Sequence, residues 1–259
     1  MMPNFQSLQR RLINFSISQH VPVQLVIKTA ALLVCSQLVP EHTVLQGGGA
    51  LTLQYPLQQV RFTRDLDLVV ADSFDAWETE FRRNLEYGFS HFAGEMRIRG
   101  NDIVREGGHL PTGVKMYPRD VHLSFAGRPF ALVPLDITAA MPSERQSKQA
   151  KLSAANEQLA TYLGLNLKSG LTVLDPIQQT AQKMGALFYA RPPRSTDLAD
   201  ITLIIRTMTA QDHMKVSEAL LEELTIRGVS KPYNLTEPGR LKEDFLAAEY
   251  GTEEDHRLL

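Results

Sequence analysis

The sequence predicts an α+β fold, a mixed sheet flanked by helices and followed by a C-terminal helical bundle. Three observations point to it. Two apolar segments at helical spacing open the chain; short alternating segments punctuated by glycine and proline fill residues 43–139; and helical periodicity takes over from about residue 172. A chain of 259 residues, 43% hydrophobic and 22% charged, is large enough for one large domain or two small ones.

The elements follow in order. "FQSLQRRLINFSISQ" and "PVQLVIKTAALLVCSQL" read as two helices, with Pro22 suited to a first helical turn. "HTVLQGGGALTLQY" reads as strand, glycine turn and helix, and "QVRFTRDLDLVVADS" as a loop running into a strand in which Leu66, Leu68 and Val70 alternate with Asp65, Asp67 and Val69. Residues 74–88 are helical, with Trp77 assigned to the core. "EMRIRGNDIVREGG", "TGVKMYP", "DVHLSFAG" and "RPFALVPLDIT" read as strands and hairpins, Pro134 placing the last at an edge or strand end. "DPIQQTAQKMGALFYA", "STDLADITLIIRTMT", "DHMKVSEALLEELTIRG" and "PGRLKEDFLAAEYG" read as helices, with Asp175-Pro176 and Ser195 as starting signals. The polar stretch 140–171 is the candidate boundary, giving residues 1–150 as an α/β domain with N-terminal helices and 151–259 as a helical domain.

Composition narrows the classes. A formal net charge of −2 gives no global attraction to polyanions, so a nucleic acid would have to meet a local basic patch. Cys35 is the single cysteine and sits in an apolar stretch, which excludes an internal disulfide and fits a cytoplasmic protein. The absence of an eighteen-residue apolar run or a signal-like start predicts no membrane partner. The seven histidines form no zinc pattern, and His109 is assigned to a loop.

Two features carry chemistry. Residues i and i+2 of a strand share a face, about 6.6–7 Å apart, so Asp65 and Asp67 project two carboxylates together from an apolar segment. Their repulsion is relieved by a divalent cation, or else the pair forms the solvated face of an edge strand. Gly47, Gly48 and Gly49, between a strand and a helix, expose backbone N–H groups where a triphosphate can bind, although a tight turn needs glycine as well.

On these residues the chain resembles the AbiEii-type nucleotidyltransferase toxins, which include the MenT enzymes and belong to the polymerase-β-like nucleotidyltransferase superfamily. Gly48, Ala50 and Leu51, then Arg61, Thr63, Asp65, Leu66 and Asp67, match the family's Gly-Gly-x-Ala-Leu and Arg-x-Ser/Thr-x-Asp-Leu-Asp elements. Gly49 departs, standing where Thr or Ser is common. Lys183, Arg194 and Asp197 match a later motif, a lysine on one helix and Arg-x-x-Asp opening the next.

The resemblance implies a polymerase-β-like nucleotidyltransferase fold whose C-terminal helical domain completes the active site, with the nucleotide between the halves. It implies Asp65, Asp67, Lys183 and Asp197 as catalytic. It gives Gly47, Gly48, Gly49, Thr63, Lys183 and Arg194 as nucleotide-binding residues, and Asp65, Asp67 and Asp136 as metal ligands, Asp136 serving as ligand or base. Arg61, Arg64 and Arg191 would join Arg194 in a positive rim, or pair with surface acids. The implied cofactor is Mg2+ (or Mn2+), and the reaction moves a nucleotide from NTP to an acceptor, which in the family's toxins is the 3′ end of tRNA. A cognate antitoxin is the implied protein partner. The alternatives are nucleotidyl or phosphoryl transfer to a protein or small molecule, and an inactive binding protein of the same fold. A P-loop enzyme is disfavoured, because no G-x-x-x-x-G-K-[ST] occurs.

Overall fold

The computed structural model describes residues 4–70, 73–100, 103–104, 115–139, 147–167, 170–189 and 194–228. The expected helix within 238–251, the loop around His109 and Arg191 lie outside them. The chain divides into two compact units, one of Met1–Ile103, Lys115–Ala140 and Ser147–Val173, the other of Val104–Val114, Met141–Gln146 and Leu174–Leu259.

The first unit opens with α1 (Phe5–Gln19) and α2 (Val23–Leu38). Asn4 caps α1 by accepting from the Ser7 N–H at 2.8 Å, and His20 closes it in the left-handed region. Pro22 is the N-cap of α2 rather than part of its first turn. No single helix among the described residues is long and apolar enough to cross a membrane.

Strand β1 (Thr43–Gln46) runs straight into α3 (Gly47–Gln54), and β2 is Leu66–Val70. Helix α4 (Phe74–Tyr87) leads to β3 (Phe92–Ile98), the two-residue β4 (Ile103–Val104), and the long hairpin of β5 (Lys115–Phe125) and β6 (Arg128–Ala139). The sheet does not end there. β7 (Ser147–Ala150), α5 (Ala154–Leu163) and β8 (Leu171–Leu174) follow, and the strand order is β3-β5-β6-β2-β1-β8-β7, with β4 beside β5. Expecting the sheet to lie within residues 43–139 therefore fails at its far side. β7 is the polar "SKQA", largely exposed, and β8 is four residues long, so neither shows a usable alternation.

A second correction concerns Pro134, which lies inside β6, a strand flanked by both β5 and β2. It is tolerated because pairing with β2 begins only at Leu135, opposite Leu66, so on that side the missing N–H interrupts no ladder.

Leu66, Leu68, Leu135 and Ile137 share the face that packs into the main core with α2 and α4, while Asp67 and Asp136 share the other. Trp77 belongs to that core, its indole N–H donating to Thr43 Oγ1 at 2.8 Å. Buried Arg119 of β5 anchors α4, pairing with Glu78 at 3.1 Å beneath the Phe74 ring. Burial pushes the Cys35 thiol up to about 12, which makes it an inert packing group.

The second unit contains α6 (Pro176–Tyr189), α7 (Ser195–Ile205) and α8 (Ala210–Ile226). Leu187 and Ile201 pack with Met184, Leu198 and Ile205. Asp175 accepts from the Ile177 N–H at 2.8 Å at the start of α6, and Thr209 and Asp212 form a capping box on α8. The N-cap of α7 is Arg194 rather than Ser195, which is already helical.

The position of α3 depends on one buried amide. Asn156 Nδ2 donates to the carbonyl oxygens of Thr52 and Leu53 at 2.7 and 2.9 Å, satisfying the end of α3 that α5 covers. Asn156→Ala removes the side-chain donor from the Thr52 carbonyl and leaves the Leu53 carbonyl with the Ser153 N–H at 3.0 Å; it is expected to cost about 1–3 kcal/mol, read as a lower urea midpoint at unchanged slope.

Candidate active site

The centre of the site is set by register. β2 and β6 run parallel, and Asp67 stands directly opposite Asp136. Asp65 lies in the irregular segment just before β2 rather than on the strand, so the expected i, i+2 strand geometry holds only in part. A carboxylate oxygen from each of Asp65, Asp67 and Asp136 nevertheless falls within 4.8 Å of the others, all three residues being half-buried. Oxygen ligands of one Mg2+ or Mn2+ stand up to about 4.2 Å apart at ordinary bond lengths, so the three carboxylates fit such a cation with small side-chain adjustment. An all-carboxylate set suits a hard cation and not a thiolate-seeking one.

The glycines wrap this cluster. Gly47 has φ +68°, and a Cβ there would lie 1.9 Å from Asp67 Oδ2. A Cβ on Gly48 would come within 2.6 Å of the Arg61 guanidinium and 3.1 Å of Thr63 Oγ1, and one on Gly49 within 2.9 Å of the Asp65 carbonyl oxygen. All three are therefore packed against the residues of the acidic loop, and the first turn of α3 begins at that surface. Buried Thr63 donates its hydroxyl to Asp65 Oδ1 at 3.1 Å and so orients that carboxylate. Arg64 is exposed.

Two cations that sequence patterns do not single out contact β6, one of them at Asp136. Arg99, just beyond β3, hydrogen-bonds Asp136 Oδ1 and the Leu135 carbonyl oxygen through Nη2, and pairs with Asp120 at 3.5 Å. Lys28 of α2 is buried, and its ammonium donates to the Leu132 carbonyl oxygen of β6 at 3.4 Å. Burial pushes its pKa below the ordinary 10.5, opposed by the Cys35 thiol and by the charge of Asp65.

In the second unit, taken by itself, the later motif forms a compact polar cluster. Lys183 pairs with Asp197 at 3.3 Å and with Asp200 at 2.6 Å, and exposed Arg194 pairs with Asp197 at 2.8 Å. Asp200, one turn beyond Asp197 and equally buried, is a member that the sequence reading passes over. Asp197 is thus an interior ion-pair residue, not a solvated helix-dipole partner. Its i, i+3 relation to Asp200 was the available signal.

This fold and this set of carboxylates define a nucleotidyltransferase-type site. The model of the AbiEii family, nucleotidyl transferase toxins of type IV toxin–antitoxin systems, matches residues 31–258. The chain belongs to that family and is accordingly a nucleotidyltransferase. Among solved structures, it is similar in fold to the MenT4 nucleotidyltransferase toxin from Mycobacterium tuberculosis H37Rv, with a TM-score of 0.58 and 16% identity, covering 98% of this chain and 92% of that one. No curated protein matches it in sequence.

Gly47→Ala tests the close packing. The new methyl meets Asp67 Oδ2, and the left-handed backbone adds roughly 1–2 kcal/mol of strain. Mn2+ titration followed by EPR is expected to show roughly ten- to hundredfold weaker binding, the range over which outer contacts tune metal sites.

Proposed function

We propose that this chain transfers a nucleoside monophosphate from an NTP to an acceptor hydroxyl, that of the 3′ end of tRNA, as the toxin of a type IV pair with a cognate antitoxin, acting in the cytoplasm. The observation that carries this reading is the convergence of Asp65, Asp67 and Asp136 beside the glycine-lined start of α3. In the reaction the acceptor oxygen forms a bond to the α-phosphorus, the bond to pyrophosphate breaks, and the hydroxyl proton is released to solvent.

Asp65, Asp67 and Asp136 would hold Mg2+ or Mn2+. Bound there, the cation supplies charge neutralisation and Lewis-acid polarisation at the phosphates. Arg99 on Asp136 stabilises its anionic form, which favours the role of ligand over that of base. Backbone N–H groups of Gly47, Gly48 and Gly49 would receive phosphate oxygens at the positive end of α3. Thr63 keeps Asp65 aimed at the cluster. Lys183, Asp197 and Arg194 are assigned to catalysis and nucleotide binding by the motif they match, and mutation tests each separately.

The test is magnesium-dependent incorporation of label from each α-labelled NTP into total tRNA. Wild type is expected to label tRNA with at least one nucleotide. Asp65→Asn and Asp67→Asn are each expected to lose about 10²–10³-fold or more at an unchanged thermal midpoint, and Lys183→Ala to lose activity together with a lowered midpoint, because it leaves two buried carboxylates without their lysine. Incorporation of γ-label in place of α-label would replace nucleotidyl by phosphoryl transfer. Equal labelling by Asp65→Asn would remove the triad from the mechanism.

A further inference from the structure

Strand registers line up one row of residues across the face of the sheet that carries the triad. The Arg99 N–H donates to the Pro118 carbonyl oxygen at 3.1 Å, Pro118 stands opposite Asp136, and Asp136 opposite Asp67. From its place just beyond β3, the Arg99 side chain crosses β5 to reach β6, where Nη2 donates to Asp136 Oδ1 and to the Leu135 carbonyl oxygen.

A second carboxylate meets the same guanidinium. Asp120 lies two positions along β5 from Pro118, hence on the same face, and stands diagonal to Asp136, opposite Pro134. Its Oδ1 is 3.5 Å from Arg99 Nε, and these two atoms, both shielded from solvent, have no hydrogen bond. The register partner of Asp120 on β3 is Arg97, but Arg97 pairs with Glu95 of its own strand at 2.8 Å. Among the described residues, Arg99 is thus the cation that pairs with Asp120.

One guanidinium therefore bridges a carboxylate inside the triad and one outside it. Where it binds Asp136 it competes with a metal ion, since it compensates part of the carboxylate charge and repels a second cation. Asp120 draws it the other way. Closing the 3.5 Å gap to an ordinary charge-assisted bond of about 2.7–2.9 Å would satisfy both shielded atoms.

We propose that Asp120 is a positioning residue for the cation site, acting through Arg99: by sharing the guanidinium it keeps Asp136 open to a divalent cation, and it receives the guanidinium when that cation binds. The inference rests on the metal-dependent nucleotidyltransferase reading above.

The experiment measures Mn2+ binding to the full chain by EPR, at about 0.15 M salt so that charges a Debye length from the ion act on it only weakly. Asp67→Asn, which removes a proposed ligand, is expected to abolish the binding. Arg99→Met removes the competing charge and is expected to tighten binding roughly tenfold, whereas Asp120→Asn leaves the guanidinium wholly to Asp136 and is expected to weaken it roughly three- to tenfold. In the Arg99→Met background, Asp120→Asn is expected to change affinity by less than about twofold. That suppression marks an action through Arg99, because loss of structure or direct attraction by Asp120 weakens binding in both backgrounds. Equal weakening in both backgrounds, no change on Asp120→Asn, or weaker binding by Arg99→Met overturns the proposal. Should Arg99→Met not fold, Arg99→Gln is read by the same criterion. Undiminished binding by Asp67→Asn would defeat the triad as the metal site and the proposal with it. The expected pattern in a chain that labels no tRNA would defeat the proposed acceptor and leave the role of Asp120 standing.

Discussion

Three carboxylates whose oxygens lie within 4.8 Å of one another impose the constraint to which the rest of the site answers. At an effective dielectric of 20, each such pair repels by about 3.5 kcal/mol, and three pairs rival the whole net stability of a typical domain, about 5–15 kcal/mol. A fold can hold that arrangement only by fixing the backbones rigidly and bringing positive charge to it. The parallel β2–β6 ladder meets the first need, since the Asp67–Asp136 register cannot slip without turning Leu66, Leu68, Leu135 and Ile137 out of the core. Arg99 addresses the second, hydrogen-bonded to Asp136 from just beyond β3.

The glycine run follows from the same geometry. α3 starts where β1 ends, and Gln46, the last residue of β1, is the register partner of Asp67. The chain must therefore turn into a helix in contact with the carboxylate. Gly47 makes that turn in a left-handed conformation with no room for a side chain, while Gly48 and Gly49 let the helix lie against Arg61, Thr63 and the Asp65 backbone. The close contact that excludes side chains also leaves backbone N–H groups as the only donors small enough to serve a phosphate there.

Much of this was legible in the sequence, for identifiable reasons. Alternation in "DLDLVV" marked β2, and glycines between a strand and a helical pattern marked the α3 start, because each rests on a local rule. Asp136 was accessible only through the family resemblance, since nothing local shows that β6 lies beside β2. The parallel β8 and edge β7 were lost because four-residue strands carry too few positions to set a period. Arg99 reaches Asp136 across 37 positions of sequence, beyond any spacing rule.

The two polar clusters differ in a way that bears on their roles. Around Asp65, Asp67 and Asp136 the carboxylates are half-buried, and Arg99 meets Asp136 from outside the β2–β6 pair, so a bound ion can change the balance of charge. Around Lys183, among the described residues, Lys183 and Arg194 pair with Asp197 and Asp200, and three of these four residues are interior. Two of the three donors of the Lys183 ammonium are engaged by Asp197 and Asp200 at short range. Breaking a buried pair by removing one partner costs about 3–5 kcal/mol, which makes Lys183 a rigid, pre-oriented charge and not a flexible arm that sweeps out to capture a ligand. A lysine held this way is suited to one fixed position of an incoming anion. Any part it plays in transfer is therefore one of orientation, with the remaining donor direction set by the two carboxylates before the nucleotide arrives.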